Sequence, residues 1–354
     1  MRLAQACLRL MSRRAVLGIG QGLALFLLLL GPMPAMAVSP MPITLATAGP
    51  GNLSHLPVDL IKKIGADQAE GVDLVVRYFG GGPLAFQDML DKNADFAVAG
   101  APALAGMKVK GAPVVSIATV NRVPTFVLMV RTDLKGKVKS IADLKGRVIG
   151  VNSSSLATKS TSQQVAEFIL RQAGVDPRRV NFMPAGQSLA DQSAALDSGA
   201  VDALMGDEPF ATRFKRAGKV FFLLDLHDLE TCRKAMGGLF LNAQLATRED
   251  VIQAQPDKVA RMVRVLARTL RWIDQHPAEE IVAQLAPADH ATAAGLKDML
   301  QRHKDIYSPD GAFTEEQVRT SERFFRENNA GAGPAAVFTY DRLINPHWAG
   351  MREH

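Results

Sequence analysis

The 354-residue chain has two cysteines, Cys7 and Cys232. Cys7 falls in an N-terminal segment that reads as a cleavable signal. It also precedes the apolar run of that segment, too early for a lipid-attachment site. Cys232 is then alone, which excludes an intrachain disulfide and a cysteine-built zinc or iron–sulfur site within one chain. The fold must therefore be held by burial. Dense Lys/Arg clusters interleaved with aromatics are missing too, so nucleic-acid binding has no footprint. There is no H-E-x-x-H, no Walker A loop and no G-x-S-x-G, and Gly80-Gly81-Gly82 does not follow the dinucleotide fingerprint. His227, His276, His290 and His303 are irregularly spaced in segments that read as exposed. No catalytic residue, no cofactor and no metal site is expected.

What is present begins at the N-terminus. Residues 1–14 carry Arg2, Arg9, Arg13 and Arg14 and no acid. An apolar run follows from Ala15 to Leu30, then the helix-breaking Gly31-Pro32-Met33-Pro34, then Ala35-Met36-Ala37. A basic segment, a short apolar core and an A-x-A site form a secretory signal. The run is short for a membrane span, and Gly18, Gly20 and Gly22 weaken it further. Residues 1–37 are thus expected to be removed on export to the periplasm. Ser12-Arg13-Arg14-Ala15-Val16-Leu17 resembles a twin-arginine motif, with Val16 for the usual Phe; the ordinary secretory route stays open beside it. Four of the 41 basic residues and none of the 35 acidic ones lie in that segment, so the net charge falls from +6 to +2 on cleavage. The remainder is large enough for about two domains.

Along residues 38–354 short apolar runs alternate with helical spacing. Ile43–Ala46, Val72–Tyr78, Asp95–Ala99, Val114–Ala118 and Phe126–Val130 read as strands. After a basic stretch from Arg131 to Lys139 the pattern restarts, with strands at Arg147–Val151, Arg179–Met183, Ala203–Met205 and Val220–Leu224 and a helix over Ser155–Gly174. Strands and helices at this pitch predict βαβ units and mostly parallel sheets. Gly238–Asn242 reads as a strand returning the chain to its first unit. From Thr247 onward the pattern is helical, and Asp257–His276 is strongly amphipathic.

Several of these residues form a familiar series. Gly80-Gly81-Gly82-Pro83 is followed by Asn93-Ala94-Asp95-Phe96-Ala97; later come Leu196-Asp197-Ser198-Gly199-Ala200-Val201-Asp202-Ala203 with Glu208-Pro209, then Pro256-Asp257-Lys258 and His276-Pro277-Ala278-Glu279. In order and spacing they resemble the periplasmic substrate-binding proteins of nitrate-, sulfonate- and taurine-type ABC importers, a family shared with thiamine-pyrimidine synthase-like proteins. The resemblance spans most of Ile43 to Pro287. It implies an α/β type II periplasmic-binding-protein fold, with two lobes joined by a two-crossover hinge. The first lobe would be 38–127 plus 236–354, and the second 128–235. It also implies a monomer that captures a small anionic or zwitterionic organic solute and passes it to an inner-membrane permease. Two rivals remain: an enzyme of the thiamine-pyrimidine synthase type, whose cysteine-rich motif this chain lacks, and a periplasmic sensor partner.

Ligands of open α/β sheets bind beyond the carboxyl ends of the strands. That rule selects Gly49 and Asn52 after the first strand, with His55 near the first helix, Gly81 and Gly82 after the second, and Gly100 and Ala101 after the third. Small residues there let backbone amides approach a ligand. Asn121 and Arg122 follow the fourth strand, and Arg122 is a candidate for a bidentate carboxylate or sulfonate contact. Asn152, Ser153, Ser154, Ser155 and Thr158 follow the sixth strand and are expected to open a helix, where hydroxyls and amides attract anions. Asp207 and Glu208 sit awkwardly beside an anion site. They are expected to meet an amine or hydroxyl of the ligand, or to pair with Arg122 or Arg213.

Overall fold

The first parallel strands run β1 (Met41–Ala48), β2 (Val72–Phe79), β3 (Phe96–Gly100) and β4 (Val114–Thr119), joined by helices α1 (Leu56–Ile61), α2 (Gly82–Leu90) and α3 (Ala101–Val109). The structure, a computed structural model, describes residues 39–353 other than Asn52 and Ala157, so the signal segment lies outside the described residues. β2 is the sheet edge, and its start alternates buried Val72 and Leu74 with exposed Asp73 and Val75. β4 is buried at every position, as expected of a strand covered on both faces.

The chain then crosses to a second sheet, made of β5 (Phe126–Arg131), β6 (Val148–Val151), β7 (Asn181–Pro184), β8 (Ala203–Asp207) and β9 (Val220–Asp225). Helices α4 (Thr161–Gln172), α5 (Leu189–Asp197) and α6 (Phe210–Arg216) connect them. After α7 (Leu229–Met236) the chain crosses back into β10 (Ala243–Arg248) of the first sheet. The strand orders are β2-β1-β3-β10-β4 and β7-β6-β8-β5-β9. β10 runs antiparallel to β3 and β4, and β5 antiparallel to β8 and β9. The reversal follows from the path. β4 and β9 end at the carboxyl edges, so a chain crossing from there enters the other sheet at that edge and must run away from it. The pairings agree: Phe126 starts β5 opposite Asp207 at the end of β8, and Ala243 starts β10 opposite Gly100 at the end of β3.

Helices α8 (Pro256–Gln275) and α9 (Ala278–Leu285) pack against α1, with Val259, Met262, Leu266, Leu270 and Ile273 of α8 buried. α10 (His290–His303) reaches α6 of the second lobe, where Arg213 pairs with Asp289 at 2.8 Å. β11 (Phe313–Thr314), α11 (Glu315–Asn328) and β12 (Met351–Arg352) follow. α11 packs on both α3 and α4, and Phe324 lies 5.0 Å from Phe168 of the second lobe and 5.0 Å from Phe240 of the returning crossover. Residues 40–353 thus make one body with two five-stranded sheets and the short β11–β12 pair.

Three sequence expectations shift. A changeover between residues 127 and 128 would split β5, which pairs within the second sheet along its whole length; the crossing is complete before Phe126. Gly238–Asn242 is not a strand. Gly237 closes α7 in the left-handed region, and the next amides bond outside any ladder: Leu239 to the Glu316 carboxylate at 3.0 Å, Phe240 to the Arg122 carbonyl at 2.7 Å and Leu241 to the Ser321 hydroxyl at 2.8 Å. The returning strand follows directly as β10. The helix expected from Ser155 starts only at Thr161.

Candidate ligand-binding cleft

The carboxyl edges of the two sheets face each other, and a cavity lies between them. Its first-lobe wall includes Ser54, His55, Gly82, Gly100 and Asn242; its second-lobe wall includes Phe126, Asn152, Ser160, Thr161 and Gln187. Its volume is about 20 Å³. The lobes are therefore closed on each other. Ser153 donates its amide to the Gly80 carbonyl at 3.2 Å, and Leu53 to the Glu208 carbonyl at 2.7 Å. Glycine makes this approach feasible. A Cβ on Gly81 would fall inside the backbone of Ser153, and one on Gly100 inside the Thr161 side chain.

Three helix N-termini converge on the cavity. α2 begins behind Gly81 and α3 behind Gly100, neither with a side-chain cap, and α4 begins behind Ser160. Each brings roughly half a positive charge, the ordinary setting for an anion, although Pro83 and Pro102 stand second in α2 and α3 and carry no amide hydrogen. Ser160 caps α4 by accepting from the Gln163 amide at 3.4 Å. Thr161 Oγ1 is buried without a hydrogen-bond partner among the described residues.

The two crossovers hold the loop that carries Ser54 and His55. Asn121 donates Nδ2 to the Ser54 carbonyl at 3.0 Å and accepts from the Ala243 amide at 2.7 Å. The Ser54 and Thr125 hydroxyls are hydrogen-bonded, and Asn242 Nδ2 donates to Thr125 Oγ1 at 3.3 Å. The Tyr307 hydroxyl donates to the Leu53 carbonyl at 2.7 Å. Every strut of this frame is neutral, so the loop is held in place without adding a fixed charge to the cleft.

Burial sets the charge state of the cleft. It lowers His55 from 6.5 to about 4, so the imidazole is neutral at ordinary pH. It pushes Asp207 from 3.8 up to about 7, against the lowering effect of hydrogen bonds from Asn152 and Gln192. Glu208 is raised for the same reason. No lysine or arginine side chain lines the cavity.

Of the residues selected from sequence, the structure brings His55, Gly82, Gly100 and Asn152 to the cavity. Gly49 and Gly81 stand against Gln187 and Ser153 of the other lobe. Ala101 starts α3 and donates its amide to the Asn242 carbonyl at 2.8 Å. Asn52 lies outside the described residues. Arg122 does not reach the cavity, because its Nε donates to the Asp305 carbonyl at 3.0 Å beside a separate hollow. Ser154 accepts from the Ser160 amide at 3.0 Å, Ser155 closes a turn with Thr158, and Thr158 faces a groove beside Gly106. These three shape the loop rather than line the cavity. Glu208 accepts from Thr212 and turns into another hollow, and neither it nor Asp207 pairs with Arg122 or Arg213. Sequence reasoning missed Ser54, Ser160, Thr161, Gln187 and Asn242. The Ser160-x-x-Gln163 spacing is a capping pattern that marks the true start of α4.

A two-lobed α/β body with reversed strands at its crossovers and a cleft at the carboxyl edges defines a periplasmic-binding-protein fold. The structure resembles a protein from Bordetella bronchiseptica with a TM-score of 0.79 and 23% identity, covering 88% of this chain and 96% of that one. It resembles the alkanesulfonate-binding protein SsuA from Xanthomonas axonopodis pv. citri bound to MOPS, at 0.64 and 16%, covering 88% and 98%. It also resembles the periplasmic nitrate-binding protein NrtA from Synechocystis, at 0.67 and 14%, covering 86% of each chain. Such identities establish the fold alone. Other similar structures are mostly import-system binding proteins, and one is a desulfurization enzyme. No curated protein sequence matches the chain. Residues 67–280, more than half of the chain, match the NMT1/THI5-like family, and the chain belongs to it.

Proposed function

We propose that this chain is the periplasmic solute-binding component of an ABC importer, capturing a small anionic or zwitterionic organic solute between its lobes. The observation that carries the reading is the convergence of three helix N-termini on a cavity walled by both lobes. Amides and hydroxyls there can hold an oxyanion without a fixed cation, and lobe closure excludes water. On this reading the protein acts as an exported monomer and hands its solute to an inner-membrane permease. The solute belongs to the sulfonate, nitrate or aromatic-acid class.

The desulfurization enzyme among the similar structures makes catalysis the rival reading. The one imidazole in the cavity is neutral and buried, and the Cys232 thiol is buried and pushed up to about 12, away from the cleft. Neither is poised as a nucleophile. Calorimetry of the mature protein against alkanesulfonates, taurine, nitrate, aromatic carboxylates and thiamine-type pyrimidines tests capture directly. Saturable one-to-one binding without product formation supports it. Turnover of a bound compound, or no binding in any class, overturns it.

A further inference from the structure

Tyr78 stands near the end of the edge strand β2 with much of its side chain exposed. It forms one side of a hollow that shares no lining residue with the cleft. Leu56 of α1, Leu285 of α9 and Leu296 of α10 line the hollow as well, and Phe210 of α6 enters it from the second lobe. Its volume is about 340 Å³, against about 20 Å³ for the cleft. That falls within the roughly 300–1,000 Å³ of ordinary small-molecule sites, which are likewise apolar with a few polar groups.

Charge on the lining is balanced. Asp59 of α1 has both carboxylate oxygens engaged: Oδ2 accepts from the Gly51 amide at 2.9 Å, and Oδ1 from the Tyr78 hydroxyl at 2.8 Å. Lys63, four residues further along, supplies the opposite charge beside it. Acid and base offset each other, so an ionic guest would give up its hydration without meeting a net countercharge. An uncharged guest has no such cost. The Thr292 hydroxyl is committed as well, donating to Asp289 at 2.9 Å and accepting from Arg213 at 2.8 Å.

The walls meet through contacts between the lobes. Two residues before Phe210, the Glu208 carbonyl accepts the Leu53 amide at 2.7 Å; three residues after it, Arg213 pairs with Asp289 at 2.8 Å. Opening the lobes breaks the first contact and draws Phe210 away from Leu56 and Tyr78. We propose that this hollow is a second ligand site, taking an uncharged aromatic molecule of one or two rings against Tyr78 and Phe210, and that its occupancy favours the closed arrangement of the lobes. By linkage, a guest in the hollow tightens capture in the cleft by the same factor that cleft occupancy tightens the hollow.

The test uses the mature protein and 1-naphthol, an uncharged probe followed by its fluorescence. The wild type binds it saturably, one to one. Ala288 lines the hollow from the exposed link between α9 and α10, so Ala288→Trp fills the space and weakens the probe by roughly tenfold or more. Tyr78→Ala removes the aromatic wall and weakens it too, which keeps the test open should the tryptophan variant fold poorly. In competition, 1-naphthoate and 1-naphthylmethylammonium displace 1-naphthol about tenfold less well than unlabelled 2-naphthol does. Gly100→Ala touches the cleft and not the hollow, yet it lowers probe affinity about threefold or more by depopulating the closed form. No saturable binding, or binding indifferent to both Ala288→Trp and Tyr78→Ala, overturns the site. Equal displacement by the charged competitors overturns the uncharged guest, and unchanged affinity in Gly100→Ala overturns the link to closure. No arm of the test needs the solute of the cleft, so failure here leaves anion capture standing.

Discussion

His55 and Asp207 give the cleft two titrations of opposite sense. Burial keeps His55 neutral down to about 4, whereas an exposed histidine takes up its proton near 6.5. The unfolded chain therefore binds a proton that the folded chain refuses, and stability falls as the pH drops from about 6.5 to 4. Asp207 keeps its proton up to about 7 against an ordinary 3.8, so its contribution is lost as the pH rises from about 4 to 7. Each involves one proton, about 1.4 kcal/mol per pH unit at most, so the two nearly cancel between about pH 4 and 6.5. Removing one uncovers the other. In urea unfolding followed across that range, Asp207→Asn makes stability climb with pH relative to the wild type, by about 1 kcal/mol per unit. His55→Gln makes it decline by a similar slope. Parallel pH profiles for all three proteins would show that neither group carries the burial assigned to it. At this scale the sequence exposed only part of the site. His55, Gly82, Gly100 and Asn152 were legible because each follows a strand that apolar runs betray. Thr161 was hidden by reading the helix start six residues early, and Asn242 by reading the irregular crossover as a strand.

The elements that carry closure are the glycine loops at the strand ends. In sequence they read as places where backbone approaches a ligand. In the structure the backbone they approach is also the other lobe, with Gly81 against Ser153 and Gly100 against Thr161. Which partner a small residue makes room for depends on the distance between two sheets, and no local pattern encodes that distance. The strands themselves were legible to within a few residues, since buried apolar runs such as Val114–Thr119 have one reading. The expectation for these loops is specific. Gly81→Ala and Gly100→Ala each hold the lobes apart, because the added methyl has no space in the closed form. Ligand affinity falls by roughly tenfold or more as the closed state loses population, and small-angle scattering gives a larger radius of gyration for the liganded variant than for the liganded wild type. Gly136→Ala serves as the control, since a Cβ there meets nothing within 4 Å. Wild-type affinity in both cleft variants would show that closure does not need these contacts.

For the whole molecule the decisive feature is what joins the lobes besides the two crossovers. With Cys232 as the single cysteine described, buried and free, no disulfide braces residues 39–353. The Cys232 thiol, pushed up to about 12, should resist thiol reagents in the folded protein, and unfolding should be the same with and without reductant. Bracing comes from helices late in the chain. α10 reaches α6 through Arg213 and Asp289, and α11 wedges Phe324 between Phe168 and Phe240. The amphipathic pattern announced these helices, but not that two of them would span both lobes, because a helix face records only that it is covered. Phe324 is fully buried and edge-on to Phe240. Phe324→Ala empties a site shared by both lobes and costs about 3–5 kcal/mol. The form of the loss is informative. While α11 couples the lobes, the wild type unfolds in a single calorimetric transition despite its two sheets. In Phe324→Ala the second lobe, deprived of its aromatic partner at Phe168, melts first, and the transition broadens or splits. A variant transition that stays single and merely moves to lower temperature would instead mean that the remaining contacts of α10 and α11 suffice to unfold both sheets together.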